Sequence, residues 1–186
     1  MKKLLIVAHP NTNGHAYMLA HAFETESIQA GHEVDRIDLY APDYRQDYLV
    51  FPGDPDPKQA LMHKKISRAD ELVFFFPIWW FDCPAILKNW FDVNFSSGFA
   101  FKYKKGSLTP YKLLTGKSAR IIATAGGPTW LYYTLGATLW INFAIGRLGY
   151  CGITLRSYTV FGSIHQGMDK HKEADIKEKV KKIALR

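Results

Sequence analysis

Cysteine is nearly absent: Cys83 and Cys151 are the two thiols in 186 residues. That pair matches no metal-ligand spacing and builds no disulfide framework. No G-x-G-x-x-G occurs anywhere in the chain, which excludes the dinucleotide fingerprint. No basic segment followed by an apolar run opens the sequence, so a leader is not expected and the reading is cytoplasmic, with reduced thiols. Charge is missing between Arg120 and Arg147, the one stretch where a membrane span is worth testing. Gly126-Gly127-Pro128, several Thr and Asn142 interrupt it, so it reads as strand, loop and buried helix, and no membrane insertion is expected.

What is present is the composition of an ordinary globular chain: 47% apolar and 22% charged residues exclude disorder and low complexity. At this length about 70% of the unfolded surface can be buried, so no metal or disulfide staple is needed. Aromatic residues are in excess, with 5 Trp, 10 Tyr and 12 Phe. Such ring surface suits a flat aromatic ligand, a dimer interface or an aromatic core. The net charge of +7 raises nucleic acid as a partner, but its distribution argues against a groove. One share lies in Lys170 to Arg186, interleaved with Asp169, Glu173, Asp175 and Glu178; another is Lys102, Lys104, Lys105 and Lys112 among aromatic residues. No nucleic-acid partner is expected.

Five runs have strand character: Lys3–Ala8, Glu33–Leu39, Glu71–Phe76, Ala119–Thr124 and Thr154–Phe161. Helical stretches alternate with them: His15–Gln29 ending at a Gly31 cap, Pro57–Arg68, Pro84–Asn94, Gly136–Leu148 ending near Gly149, and Asp169–Leu185. Leu4–Val7 and Leu72–Phe76 are apolar on both faces, as a parallel sheet covered on both sides requires. The expected fold is α/β and flavodoxin-like, a five-stranded parallel sheet of order 2-1-3-4-5 with helices on both faces. It forms one domain over 1–186. Pro42–Pro57 and Ser96–Gly116 read as long loops of that domain.

A ligand in such a sheet sits beyond the carboxyl ends of the strands, where the strand order reverses. The first strand ends in His9-Pro10-Asn11-Thr12-Asn13-Gly14-His15, a strand-to-helix loop whose N–H groups make an anion site. No Gly-Lys-Ser/Thr follows it, so it is not a Walker loop. The third strand ends in Pro77-Ile78-Trp79-Trp80-Phe81, three rings at the mouth of a crevice. The fourth ends in Thr124-Ala125-Gly126-Gly127-Pro128, where backbone can approach a ligand closely. A phosphate cradle, an aromatic wall and a glycine edge together suit a flavin mononucleotide moiety.

The run Phe76-Pro77-Ile78-Trp79-Trp80-Phe81-x-x-Pro84-Ala85-Ile86-Leu87-Lys88-x-Trp90-Phe91, followed by Gly98-Phe99-Ala100-Phe101-x-Tyr103, resembles the NAD(P)H:quinone oxidoreductase family. The likeness spans nearly the whole chain. It implies a bound flavin, FAD in preference to FMN, and ping-pong hydride transfer from NAD(P)H through flavin N5 to a quinone or similar acceptor. By position it assigns His9 to the flavin phosphates. Asn11, Asn13, Gly14 and His15 of the same loop join it as cofactor-binding candidates, although Asn13, Gly14 and His15 replace the Thr, Ser and Phe of mammalian members, so the phosphate contacts must be rearranged. Pro77, Ile78, Trp79, Trp80 and Phe81 go to the ring wall, and Thr124, Gly126 and Gly127 to the pyrimidine edge. Tyr132 is both a flavin neighbour and the catalytic residue, while Phe101, Tyr103 and Trp130 face the substrate. Lys102 and Arg147 are candidates for a 2′-phosphate. Where mammalian members carry a proton-relaying histidine, this chain has Thr138, a neutral hydroxyl unable to take that role near neutral pH. Family members are homodimers, and Trp90, Trp130 and Trp140 fit an apolar interface. Other relatives are flavin-binding ancillary subunits of potassium-efflux systems. That alternative would use the Lys102–Lys112 loop, Lys104 and Lys105 included, as its partner patch.

Overall fold

β1 (Lys2–Val7) is buried from Lys3 to Val7, so both of its faces are covered. A computed structural model describes residues 1–51, 53–103, 105–106 and 109–185. It joins β1 to β2 (Glu33–Asp38), β3 (Glu71–Pro77), β6 (Ser118–Thr124) and β7 (Thr154–Phe161) in one parallel sheet of order β2-β1-β3-β6-β7. This is the expected 2-1-3-4-5 order. The two extra labels belong to a small antiparallel hairpin, β4 (Phe101–Lys102) and β5 (Tyr111–Lys112), within a stretch read as loop.

Strand alternation divides the core in two. Leu4, Ile6, Leu72, Phe74, Phe76, Ile121 and Ala123 face α2 (Gln59–Arg68), α3 (Ala85–Asn94) and the helical region after β6. Leu5, Val7, Val73, Phe75 and Ile122 face α1 (His15–Gln29) and α6 (Lys170–Ala184) through Leu19, Phe23, Ile176 and Val180. Much of the aromatic excess is core: Phe74 packs edge-on against Trp90 and Phe143, and Phe91 edge-on against Phe143. Trp90, expected at an exposed apolar patch, is 1% exposed because its α3 face meets the sheet.

The helical region differs most from expectation. α4 (Thr129–Thr134) occupies residues read as loop, α5 (Ala137–Ile141) follows, and Asn142–Gly149 winds as π-helix. That segment ends at Gly149, as expected, and a Cβ there would collide with the Ala144 carbonyl oxygen five residues back. The helix is closed by Gly152 at φ +94°, with Gly152 N–H bonded to Gly149 O and Ile153 N–H to Leu148 O. Gly31 closes α1 in the same way, at φ +80°, as expected. α2 and α3 start at Gln59 and Ala85, one or two residues after the prolines read as their first positions. Among the described residues no helix is long and apolar enough to cross a membrane.

At the amino end of the sheet a polar row crosses three strands, Lys3 beside Glu71 beside Ser118. The Glu71 carboxylate accepts from Arg120 Nε at 2.8 Å, and Lys3 Nζ donates to Ala184 O at 2.6 Å. All four side chains are buried, under the ends of α1 and α6.

Candidate active site at the carboxyl end of the sheet

At the opposite end of the sheet the loops after β1, β3, β6 and β7 enclose a cleft of about 750 Å³. It lies where the order reverses between β1 and β3, as the fold predicts. His9, Asn11, Asn13, Gly14, His15, Pro77, Ile78, Trp79, Thr124 and Gly126 line it together.

The first loop is locked by Asn11. Asn13 N–H donates to Asn11 Oδ1 at 3.0 Å and Gly14 N–H to Asn11 O at 2.9 Å, while Asn11 N–H donates to His9 Nδ1 at 3.0 Å. The same Nδ1 lies 2.9 Å from the Asn11 carbonyl oxygen, so the ring is tied to Asn11 by both backbone groups. Gly14 caps α1 without a side-chain bond, so the N–H groups of the first turn have no such partner. A Cβ at Gly14 would lie 2.7 Å from His9 Cε1 and 2.9 Å from Asn11 O. Glycine is therefore required by the loop's own closure, and the result is an open, positively polarised helix start.

The second loop is a tight hairpin. Trp79 N–H donates to Asp82 O and Asp82 N–H to Trp79 O, both at 3.0 Å. Trp80 (φ 53°) and Phe81 (φ 59°) sit between them in the left-handed region. Two-residue turns of this kind favour Asn-Gly, and a non-glycine residue held there costs about 1–3 kcal/mol. The turn sends Trp80 into solvent, 98% exposed, and rests Phe81 against Tyr132 with ring centroids 5.7 Å apart. Trp79 instead turns toward the cleft, 6.2 Å from the His9 ring.

In the third loop a Cβ at Gly126 would meet nothing within 4 Å, so the space above it is open. Gly127 differs: its N–H donates to Tyr132 Oη at 3.3 Å and its carbonyl accepts from Ser163 N–H at 2.7 Å. One of the two amides expected to face a ligand is thus engaged by the tyrosine expected to do chemistry. Tyr132, Gly127, Trp80 and Phe81 flank the cleft without lining it. The fourth wall, Ile164, His165 and Gln166 after β7, was missed by the sequence reading. The rule that pointed to the other loops applies equally to the last strand.

The substrate-facing residues are not gathered here. Phe101 and Tyr103 belong to the β4–β5 hairpin, where both rings pack around Tyr150 and the Tyr103 and Tyr150 hydroxyls lie 2.8 Å apart. Leu114 N–H bonds Cys151 O just ahead of β6 and β7, which puts that hairpin toward the amino end of the sheet. Trp130 is exposed on α4 and Thr138 exposed on α5, both off the cleft. The Arg147 guanidinium, a candidate for a 2′-phosphate, lies 3.6 Å from the Asp82 carboxylate and does not line the cleft. Lys102, Lys105 and Lys112 are exposed, and Lys104 lies outside the described residues. Burial pushes the Cys83 thiol up to about 12, and no cluster of metal-ligating side chains occurs among the described residues.

A family model described as flavodoxin-like fold matches residues 1–185. An uncharacterised NAD(P)H oxidoreductase of Haemophilus influenzae is 30% identical, over 95% of this chain and 91% of its own. A solved Klebsiella pneumoniae protein, assigned as a quinone reductase, superposes with a TM-score of 0.86 at 28% identity, covering 98% of this chain and 83% of its own. General stress protein 14 of Treponema denticola, solved in complex with FMN, shares the fold with a TM-score of 0.71 at 24% identity, over 100% of this chain and 96% of its own. With the strand order and the position of the cleft, these matches carry one conclusion: the chain belongs to the flavodoxin-like fold family.

Proposed function

We propose that this chain is a flavin-dependent NAD(P)H:quinone oxidoreductase, built as one domain over 1–186 and working in the cytoplasm. The observation that carries the reading is the cleft itself. It joins an uncapped helix start, an aromatic wall and an open glycine edge at the switch point of the sheet. The donor set fits a flavin. The Asn11–His15 loop offers donors to phosphate with the His9 ring beside it, Trp79 offers a ring face, and Gly126 leaves backbone free beside a flat edge. When bound, the flavin supplies two-electron chemistry, accepting hydride from NAD(P)H and passing it to a quinone-like acceptor.

The chain's own residues bind, orient and exclude water. Tyr132, nearly buried and accepting the Gly127 amide, keeps its hydroxyl proton available to the glycine edge. It is the residue assigned the catalytic role, in support of negative charge developing there. In this reading Phe101, Tyr103 and Trp130 are the residues assigned to the acceptor, and within one chain they lie off the cleft. Trp80, Trp130, Leu135, Trp140 and Ile145 are exposed apolar side chains of the kind a homodimer would cover. FAD, expected from the sequence, and the FMN of the Treponema protein share the half of the molecule that the cleft addresses.

The test is the visible spectrum of the purified protein, followed under anaerobic conditions through addition of NAD(P)H and then a quinone. Flavin bands that bleach and return are expected, and the released cofactor then distinguishes FAD from FMN. Bands that do not bleach overturn the oxidoreductase assignment. Absence of flavin even after reconstitution overturns the site.

A further inference from the structure

The strained turn Trp79–Asp82 has a holder that nothing in the flavin reading accounts for. Two consecutive non-glycine residues at positive φ persist only where surrounding structure fixes them. The turn's own pair of backbone bonds joins Trp79 to Asp82, so whatever fixes Asp82 fixes the turn. The Asp82 carboxylate accepts from Cys83 N–H at 2.7 Å and pairs with Arg147 Nη2 at 3.6 Å. Arg147 reaches it from the π-helical segment, a departure from regular helix that recurs at functional sites. Its guanidinium lies 4.7 Å from the Phe143 ring centroid and 5.7 Å from that of Phe91, and Nη1 donates to Cys83 Sγ at 3.8 Å. With its side chain 13% exposed, this cation is seated in an aromatic slot and aimed at the foot of the turn.

We infer that Arg147 is a positioning residue for the site: through Asp82 and Cys83 it holds the Trp79–Asp82 turn in the form that directs Trp79 into the cleft. It thereby sets the affinity of the cleft for a flat ring system. The first half stands on the turn alone, and the second rests on the flavin reading above. Planarity matters here, because the guanidinium must lie on Phe143 while pointing one edge at Asp82. A lysine ammonium can supply the charge without filling that slot.

The experiment compares Arg147→Met, which keeps an apolar stem over Phe143, with Arg147→Lys and Asp82→Asn. Amide hydrogen exchange is read on the ligand-free proteins, and flavin affinity by fluorescence titration. Arg147→Met is expected to speed exchange at the Trp79 and Asp82 amides about tenfold or more while leaving Phe74 and Phe75 protected. It is also expected to weaken flavin binding about tenfold, with Arg147→Lys in between and Asp82→Asn resembling Arg147→Met. Unchanged exchange at those two amides overturns the inference, and so does faster exchange with unchanged flavin affinity. A wild-type protein that binds no flavin overturns the functional reading instead, and the exchange arm still decides whether Arg147 holds the turn. If Arg147→Met does not fold, Arg147→Lys and Asp82→Asn carry the same comparison.

Discussion

The two ends of the sheet treat polar groups in opposite ways. At the amino end, Lys3, Glu71, Ser118 and Arg120 are all buried, and Glu71 is matched by Arg120, Lys3 by the Ala184 carbonyl. At the carboxyl end, the start of α1 has no side-chain cap, Gly126 faces open space, and Trp80 and Phe81 sit in strained backbone. One end pairs its charges inside the protein, with Glu71 Oε2 the one carboxylate oxygen there that has no partner among the described residues. The other is left with donors, rings and strain that only a ligand or a second subunit can use. A parallel sheet makes this asymmetry natural, because every strand-to-helix loop, and so every helix start, falls on the same side.

The sharpest break of that contrast is Arg120→Met. It leaves the Glu71 carboxylate buried with only the Ser118 hydroxyl and Lys3 nearby, and it should cost about 3–5 kcal/mol in urea unfolding. Flavin affinity of the remaining folded protein should not change, since the lesion is at the far end of the sheet. Equal losses of both would mean that the ends are coupled. The reverse pattern is expected of Gly14→Val. Its side chain cannot avoid His9 and Asn11, so the loop must open. Flavin affinity should fall about a hundredfold while the unfolding midpoint moves much less. A Gly14→Val protein that binds flavin as wild type does would remove the phosphate-loop assignment.

Trp80→Gly tests the strain directly. The indole is 98% exposed, so this chain loses little packing, and glycine accepts φ 53° without penalty. A gain of about 1 kcal/mol is expected, seen as a rise of about 2–4 °C in Tm. Cofactor reduction or self-association should worsen in the same variant, because the strained turn serves the site and not the fold. A gain in stability with no functional loss would mean that the turn's conformation is incidental.

The unequal legibility of the two ends has the same origin. Strand order was readable because Leu4–Val7 and Leu72–Phe76 are apolar on both faces, a local pattern that only a covered sheet satisfies. The loops after β1, β3 and β6 were readable because strand ends can be counted along the chain. The loop with His165 and Gln166 follows the same count and was passed over. What periodicity could not reveal is pairing at long range. Nothing near Arg147 announces Asp82, 65 positions earlier in the chain, and nothing in Phe101-Lys102-Tyr103 announces Tyr150. Gly149 was readable as a helix end, but not the wide turn in which its missing Cβ makes room for the Ala144 carbonyl. Trp90 was misjudged for a related reason, since one ring on an amphipathic helix reads alike whether it meets a sheet or a partner.

The smallest expected effect concerns pH and lies away from both ends. His63 on α2 is stacked on Phe99 at a 3.6 Å centroid separation, and its Nε2 lies 2.9 Å from the Asn94 carbonyl oxygen. Burial holds its pKa below the ordinary value of 6.5, against the opposing pull of the Asn94 carbonyl. The unfolded chain therefore takes up this proton first as pH falls. The contribution of the neutral, stacked ring is present above that ordinary value and is lost as pH drops through it toward the lower folded value. Wild-type protein should accordingly lose stability between pH 7.5 and 5.5, and His63→Phe, which keeps the stack and removes the titration, should lose less over the same interval. Because the site lies away from the cleft, the flavin affinity of His63→Phe should match wild type at both pH values. Equal pH slopes for the two proteins would mean that the His63 proton is taken up alike in folded and unfolded chains. The tight stack with Phe99 would then be open to water in the folded protein.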